Sequence, residues 1–542
     1  MSILNYAARG ASALALLAAL GAPLRAEGYK VEVLVPGSDF HGVHGLGVGP
    51  DGQILAGSVI GQTLYTVDPA SGTVGIEVAA PDGMADDIAF APDGTMAWTG
   101  FLTGDLFARK PGGEITKLAS GLPGINSLAY RSDGRLYATQ VFLSDALYEI
   151  DTTGQSEPRK IIEGMGGLNG FQFGPDDKIY GPLWFKGQVV KVDVDSGEIE
   201  VVADGFNVPA AVNLDSKGNI WALDTAQGQL VKIDPQSGEK ETVAQLSTSL
   251  DNLAINDRDE IFVSNMADNG IQQVNPDTGE IRQIVKGQLS MPGGLDLAAD
   301  EQGETLYLAD LFAYRTINAA TGEVTDVARM HSDHLEYPIN ARVKGDHVVL
   351  SSWFTGTVQV FDRKTGESLK LLHGFAAPED AIELEDGSLL VLEIATGKLL
   401  RVSGEEGETR DVVAEGLVVP VGMVPDGPSG VFVTEAGAGS VSRIDLATGE
   451  KLTLASGLAM PEGLDTGPDG LLYVAEVGKK QVISISPENG AVSVLATDLP
   501  IGAPAPAGMP PTSMTTGIAV GGDGTVYVTS DIENAVYKLS PM

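Results

Sequence analysis

Residues 460–495 read MPEGLDTGPDGLLYVAEVGKKQVISISPENGAVSVL and consist of four short apolar stretches separated by turn sequences. The turns at 467–470 (Gly-Pro-Asp-Gly) and 487–490 (Pro-Glu-Asn-Gly) end in glycine, which adopts the positive φ of tight hairpins without steric cost. The stretches between them are rich in Val, Ile, Leu and Tyr, as expected for strands of sheets that pack face to face. The segment therefore predicts one antiparallel sheet of four strands.

The same four-stranded pattern recurs along the chain, with Glu462 as its reference position. Glu462 lies seven residues before Asp469, in the middle of the first turn, and we call the equivalent position of each repeat the slot. Successive slots are 40 to 46 residues apart, except for a last interval of 54 that contains an insertion at 501–506. A period of about 40–45 residues with four strands per repeat is typical of β-propellers. The twelve slots hold His44, Asp86, Asn126, Asn169, Ala210, Asp251, Gly293, Ile339, Glu379, Val421, Glu462 and Thr516.

Twelve repeats exceed the ~4–8 blades of one propeller. The sequence therefore predicts an all-β protein of two tandem six-bladed β-propellers, with a five-plus-seven division as the alternative. We expect the first propeller at residues 27–277 and the second at 278–542. In this interpretation a strand near residues 29–35 completes the last blade of the first ring, and a strand at 281–285 opens the second ring. A strand that crosses from residue 29 to the far ring is the alternative, at the cost of a long-range connection.

The N-terminal 26 residues have the pattern of a secretory signal peptide. They contain no acidic residue, and Arg9 precedes an apolar run at 11–20 that is too short to cross a bilayer. We therefore expect cleavage near residue 26, a periplasmic or secreted protein, and no membrane insertion. The absence of Cys excludes disulfides and thiolate chemistry. A net charge of -39 disfavours nucleic acid as a partner and favours cations.

The slots of the first ring are polar, with Ala210 as the exception. Because the slot begins the innermost strand of a blade, its side chain is expected to face the central channel. Converging carboxylate and amide oxygens suit Ca²⁺, which takes ~6–8 oxygen ligands, although polar residues also line water-filled channels. The second ring is poorer in such groups, because three of its slots hold glycine or an aliphatic residue. The polar slots of the first ring are His44, Asp86, Asn126, Asn169 and Asp251.

Three short segments carry a resemblance to a known family. Asn126-Ser127-Leu128 and Asn169-Gly170-Phe171 resemble segments of the senescence marker protein/gluconolactonase and paraoxonase group, and Asp251-Asn252-Leu253-Ala254 resembles a paraoxonase segment. The resemblance implies a six-bladed propeller that binds Ca²⁺ in its channel and hydrolyses lactones, esters or organophosphates. It also implies Asn126, Asn169 and Asp251 as metal ligands. The chain departs from the family at His44, where the family has Glu, and at Ala210, where it has Asp.

Residues near these ligands are candidates for catalysis and substrate binding. A histidine at the channel mouth can take a proton from water at neutral pH, so His44 and Asp86 are the candidate catalytic residues. We expect His41, Asn252 and Trp184 to contact the substrate. The alternatives are surface histidines and an aromatic side chain that only packs.

A second resemblance involves the second ring. Val-Phe-Val-Thr-Glu435 resembles the repeat of virginiamycin B lyase-like propellers, and Glu393 and Glu476 occupy equivalent positions. Their recurrence favours a structural role. A second His-x-x-His pair, His331 and His334, lies between the seventh and eighth blades.

These observations predict an exported, calcium-dependent hydrolase of a small lactone or ester, with the metal in the channel of the first propeller. Another divalent cation is compatible with the same ligands. One alternative is a propeller that binds a ligand or a protein partner, the latter through the second ring. The other is an enzyme of the virginiamycin B lyase type, which opens a lactone by elimination with a Mg²⁺-assisted base.

Overall fold

The computed structural model describes residues 25–26, 28–512 and 514–542. Within these residues the strands form twelve antiparallel sheets, each a propeller blade, and this arrangement confirms the predicted all-β fold of two tandem six-bladed propellers. The predicted signal peptide, 1–26, lies outside the described residues except for Arg25–Ala26. In the described part of the chain, no helix is long and apolar enough to cross a membrane.

The first ring contains blades 1 to 6, and each blade is built from four consecutive strands. Its innermost strands contact one another in order, and the ring closes where the first strand of blade 1 contacts that of blade 6. The strands are Val43–Val48, Ile54–Ser58, Thr63–Val67 and Val74–Val78 (blade 1); Ile88–Phe90, Met96–Gly100, Asp105–Arg109 and Ile115–Ala119 (blade 2); Ile125–Tyr130, Leu136–Gln140, Ala146–Ile150 and Arg159–Glu163 (blade 3); Gln172–Phe173, Ile179–Leu183, Gln188–Val192 and Ile199–Ala203 (blade 4); Pro209–Leu214, Ile220–Asp224, Gln229–Ile233 and Lys240–Gln245 (blade 5); and Leu250–Ile255, Ile261–Asn265, Gly270–Val274 and Ile281–Val285 (blade 6).

The second ring contains blades 7 to 12 and closes between the innermost strands of blades 7 and 12. Two N-terminal strands join it, one as a fifth strand of blade 11 and one as the outer strand of blade 12. A short 3-10 helix, Val477–Lys479, follows the second strand of blade 11. The strands are Leu295–Asp300, Gly303–Asp310, Ala313–Asn318 and Val324–Arg329 (blade 7); Asn340–Lys344, His347–Ser352, Thr357–Asp362 and Ser368–Leu372 (blade 8); Pro378–Glu383, Leu389–Glu393, Lys398–Ser403 and Thr409–Ala414 (blade 9); Pro420–Asp426, Gly430–Glu435, Ser440–Asp445 and Lys451–Ser456 (blade 10); Pro461–Thr466, Leu472–Glu476, Gln481–Ile485, Val492–Thr497 and Arg25–Ala26 (blade 11); and Ile518–Val520, Val526–Ser530, Ala535–Pro541 and Tyr29–Val35 (blade 12).

The predicted positions of two outer strands are wrong. Tyr29–Val35 pairs with Ala535–Pro541 and so completes blade 12 of the second ring instead of a blade of the first, which is the long-range alternative considered above. Ile281–Val285 pairs with Gly270–Val274 in a local hairpin and completes blade 6 instead of opening the second ring. Blade 6 obtains its fourth strand from the segment that directly follows its third. Blade 12 has three consecutive strands of its own, and the N-terminal strand completes it. The sheets of the first ring therefore extend to residue 285, beyond the boundary predicted at 277.

Glutamates at the end of the second strand have the structural role predicted for them. In each of three blades the carboxylate accepts a hydrogen bond from a backbone N–H of the loop that enters the same blade, and the bond lengths are 2.7 to 2.9 Å. Such bonds satisfy backbone amides of the loops, which form no hydrogen bonds within a β-sheet. The pairs are Glu393 with Ala376, Glu435 with Val418, and Glu476 with Ala459.

Asn269 joins the two rings through a fully buried side chain. Its amide nitrogen donates to the carbonyls of Phe40 (2.7 Å) and Leu289 (3.1 Å), and Leu289 belongs to the connection into the second ring. Its amide oxygen accepts from the N–H groups of Gly42 and Val43, both at 3.1 Å. One side chain therefore fixes the segment that enters blade 1 and the segment that enters blade 7.

Two arginines of blade 7 extend this contact between the rings. Arg329 donates to the Asp268 carboxylate (3.0 Å) and to the carbonyl of Thr248 (2.8 Å), both in loops of blade 6. Arg315 is buried and donates to the carbonyl of Ala267. Buried charged hydrogen bonds are costly to break singly, so the rings are held in one relative position.

Candidate active site

A chamber of about 300 Å³ lies between the two rings. Its floor is formed by the polar slots of the first ring, and its cover is formed by loops of the second ring. The floor residues are the five predicted from the sequence, whereas the cover was not predicted. The floor comprises His44, Asp86, Asn126, Asn169 and Asp251, and the cover includes Leu311, Phe312, His331, Tyr337, Trp353, Phe354 and Met514.

Hydrogen bonds between neighbouring blades orient the floor. The Asn126 amide nitrogen donates to the Asp86 carboxylate. The Ser127 hydroxyl lies 2.7 Å from the Asn126 amide oxygen and 3.2 Å from that of Asn169, so it links blades 3 and 4. Asn126 and Asn169 are almost fully buried. The amides are therefore positioned before any ligand arrives.

Two carboxylates of the floor have strongly perturbed acidity. Burial raises the pKa of Asp251 to about 7. Burial also raises the pKa of Asp86 well above its ordinary value, and the negative charges of Asp251 and Asp87 raise it further. No Lys or Arg is among the residues that line the described chamber. The two carboxylates thus lack a protein counter-charge, and binding of a proton or a cation relieves their repulsion.

His44 is held as a neutral imidazole at the edge of the floor. Its Nδ1 donates to the carbonyl of Gly42 at 2.9 Å, and burial lowers its pKa to about 4. Its Nε2 has no hydrogen-bond partner among the described residues, so this nitrogen is free to accept a proton. The Phe312 ring packs edge-on against the imidazole, with ring centres 5.1 Å apart.

The loop between blades 7 and 8 brings two polar rings into the cover. His331 and Tyr337 both line the chamber, and both have a positive φ, 68° and 40° respectively. Such backbone conformations are unfavourable for residues with a side chain and cluster at functional sites. The His331/His334 pair was noted in the sequence, but His334 is exposed and does not line the chamber.

Both cover residues are neutral. Burial, and to a smaller extent the nearby His44, lower the pKa of His331 to about 4. Burial raises the pKa of the Tyr337 phenol, and the charges of Asp251 and Asp86 raise it as well. The Tyr337 hydroxyl has no hydrogen-bond partner among the described residues, so it can donate to a ligand. No sequence signal indicated Tyr337, because its role depends on how the two rings face each other.

Aromatic side chains form the walls of the chamber. Trp184 contacts Phe142 and His331, with ring centres 5.2 and 5.0 Å apart. Phe142 and Phe354 lie on opposite rings and remain 44% and 38% exposed, so the chamber wall is open to solvent in part. Trp184 therefore lines the chamber, its contact with a substrate stays a prediction, and the walls favour an apolar ligand.

The donor set of the floor fits a Ca²⁺ ion. No three His, Asp or Glu side chains in the described part of the chain are arranged to hold a metal. The floor instead combines the carboxylates of Asp86 and Asp251 with the amides of Asn126 and Asn169. These groups supply oxygen ligands, which Ca²⁺ prefers and Zn²⁺ does not. Ca²⁺ at this place stays a prediction.

Two predicted substrate contacts lie elsewhere. The Asn252 amide donates to Asp87 at 3.1 Å and lines a separate cavity at the other end of the channel, because neighbouring residues of a strand point in opposite directions. The His41 Nε2 donates to the carbonyl of Ile532 in blade 12 at 2.8 Å, and the ring does not line the chamber. Neither side chain can contact a ligand in the chamber, so both assignments are corrected.

Comparisons with known proteins give structural similarity only. No protein-family profile matches the chain, and no curated protein matches its sequence. The extracellular domain of BT4673 from B. thetaiotaomicron is similar with 13% sequence identity and a TM-score of 0.33, over 94% of this chain and 82% of that one. A streptogramin B lyase structure is similar with 16% identity and a TM-score of 0.28, over 61% of this chain and 93% of that one. At these values neither similarity assigns an activity to this chain.

Proposed function

We propose that this protein is an exported hydrolase that cleaves a small, mainly apolar ester or lactone in the chamber between its two propellers. The observation that carries the proposal is the free Nε2 of neutral His44 beside an oxygen-lined floor. An enclosed, mainly apolar cavity with a few converging polar groups is the usual form of a small-molecule site. The chamber combines that form with a base and two acids of perturbed pKa.

His44 acts as the general base. At neutral pH a histidine with a pKa of about 4 is unprotonated, so its Nε2 can accept a proton from a water molecule that attacks the ester carbonyl. The Gly42 carbonyl holds the Nδ1 proton and thereby fixes the tautomer that leaves Nε2 as the acceptor. It also stabilises the positive charge that forms when His44 takes up the second proton.

Tyr337 acts as a hydrogen-bond donor to the oxygen on which negative charge develops. The raised pKa keeps its phenol protonated over the whole range in which His44 is neutral. A fixed donor in a chamber poor in water stabilises an oxyanion more strongly than water does. The cover loop of the second ring therefore completes the catalytic set of the first.

Asp86, Asn126, Asn169 and Asp251 would hold Ca²⁺ at the floor. When bound, the ion would polarise the ester carbonyl and neutralise the two carboxylates. The aromatic walls would bind the acyl or alcohol part of the substrate and exclude bulk water. A volume of about 300 Å³ limits the buried part of the substrate to a small molecule.

A screen of chromogenic aryl esters and lactones, with Ca²⁺ and with EDTA, tests the proposal. We expect turnover that EDTA abolishes, and a loss of roughly 10²–10⁴-fold in kcat for His44→Ala. His373→Ala is the matched control, because His373 is exposed and does not line the chamber. Hydrolysis in ¹⁸O-labelled water incorporates one label into the acid product, whereas elimination incorporates none. Absence of turnover across the screen, or equal activity of the two variants, would reject the proposal.

A further inference from the structure

The channel of the second ring contains two buried glutamates that face one short segment. Glu379 and Glu462 occupy the slots of blades 9 and 11 and are 0% and 3% exposed. The Thr515 hydroxyl donates to Glu379 Oε1 at 2.5 Å, and the N–H of the next residue, Thr516, donates to Glu462 Oε2 at 2.7 Å. Two adjacent residues thus bridge the carboxyl groups, which brings them together in the channel.

One oxygen of this pair has no partner. Glu379 Oε2 is buried and lacks a hydrogen bond within the described part of the chain. A buried polar atom without a partner is destabilising, and more so when it is charged, so its occurrence points to a bound water or ion. A proton on this oxygen does not solve the problem, because the resulting O–H would lack an acceptor.

The pair also lacks a positive charge. The charge of Asp380 acts on Glu379, and the charges of Asp531 and Glu379 act on Glu462, so all these charged neighbours are acidic. Burial raises the pKa of Glu379 to about 8, and that of Glu462 is also raised. The buried cationic side chain of Arg342 donates to the Asp380 carboxylate instead. A water molecule would satisfy the free oxygen but would leave the charges uncompensated.

We propose that the channel of the second ring binds one divalent cation of the Ca²⁺ type between Glu379 and Glu462. The two carboxylates and the hydroxyls of Thr515 and Thr516 supply only hard oxygen ligands, as this class of ion requires. The site is separate from the floor of the first ring and independent of the proposed hydrolase activity. The slot comparison missed it, because Thr515 lies one residue before a slot and so was not compared.

The position of this cation has a consequence for the chamber. Thr515 and Thr516 follow Met514, whose side chain lines the chamber. A cation that holds both glutamates also holds this segment, and therefore the chamber wall that Met514 provides. The second ring is then a metal-stabilised support for the cover of the first.

Counting bound Ca²⁺ in the full chain by native mass spectrometry tests the proposal. We expect the double variant Glu379→Gln/Glu462→Gln, which keeps the side-chain shapes, to bind one Ca²⁺ fewer than the wild type. Glu435→Gln is the matched control: Glu435 is equally buried in the adjacent blade but is paired with Lys451, so its removal should not change the count. An unchanged count in the double variant would overturn the proposal.

A second measurement decides the matter even if the double variant does not fold. Asp251→Asn removes a carboxylate from the first ring only, and this variant should still bind one Ca²⁺. If it binds none, the second ring holds no cation and the proposal fails. In the absence of Ca²⁺ and at a pH above 8, where Glu379 is ionised, a folded double variant should melt at a higher temperature than the wild type, because uncompensated buried negative charge is gone. A lower melting temperature would contradict the charge argument on which the site rests.

Discussion

Replacing Asn269 with alanine removes the side chain that joins the rings and fixes the loop that carries His44. Two of its four hydrogen bonds go to the carbonyls of Phe40 and Leu289, and each of these carbonyls also accepts a hydrogen bond from another side chain, which remains after the substitution. The other two are from the N–H groups of Gly42 and Val43, which lose the acceptor they have in Asn269. The cost of the substitution therefore comes mainly from these two buried amides.

The size of the effect follows from these bonds. An unsatisfied buried donor costs about 1–3 kcal/mol, so the two amides together cost about 4 kcal/mol. Asn269 has a φ of 44°, and alanine in the left-handed region adds about 1–2 kcal/mol. We therefore expect a loss of about 5 kcal/mol in the free energy of local unfolding. Activity should fall as well, because the Gly42 carbonyl that holds the His44 Nδ1 proton is no longer fixed.

Asn534→Ala is a matched control for this prediction. Asn534 is also fully buried, has a φ of 53° and donates to the same Phe40 carbonyl, but its loss orphans neither amide. Its cost should be about 1 kcal/mol for the lost bond, plus the same backbone term. Hydrogen exchange at Gly42 and Val43 measures the local free energy directly. A difference of less than about 1 kcal/mol between the two variants would refute the reasoning.

Three further results are expected. Gly42 has a φ of 71°, and the methyl group of Gly42→Ala would lie 2.8 Å from the Phe312 ring. The substitution should therefore displace that ring from His44 and lower kcat. An unchanged KM would show that the defect does not lie in substrate binding. Tyr337→Phe removes the oxyanion donor and should lower kcat by roughly 10²–10³-fold with little change in melting temperature; a loss confined to KM would assign Tyr337 to binding alone. In a variant without the second-ring glutamates, Ca²⁺ affinity should fall at least about tenfold per pH unit below pH 7, because protons on Asp251, whose pKa is about 7, and on Asp86, whose pKa is also raised, compete with the ion; a pH-independent affinity would exclude both carboxylates as ligands.

The sequence predicted the repeat architecture because each blade contains its own turns and strands. It left the position of Tyr29–Val35 open, since the sequence of a single strand does not indicate which ring lacks an outer strand. Local periodicity also placed the five polar slots on one channel floor. It could have excluded Asn252, because the neighbour of a channel-facing residue on a strand points away from the channel.

The upper half of the chamber could not be predicted in the same way. Tyr337 and Phe312 reach the floor of the first ring only because buried contacts such as those of Asn269 fix the rings face to face. Asn269 bonds to Gly42 and Val43, more than 200 positions before it, and to Leu289 in the connection to the second ring, and no sequence pattern indicates these contacts. The same holds for Thr515, which follows the insertion and whose hydroxyl donates to Glu379 in the second ring.

The central claim is that catalysis takes place in the chamber between the rings, with groups from both. A crystal structure of the protein with Ca²⁺ and an aryl phosphonate, which resembles the tetrahedral state of ester hydrolysis, tests it most directly. We expect the phosphonate in the chamber, with one oxygen within hydrogen-bond distance of the Tyr337 hydroxyl, another facing His44 Nε2, and the aryl group against Trp184. A phosphonate bound elsewhere, or in the chamber without contact to residues of the second ring, would contradict the account.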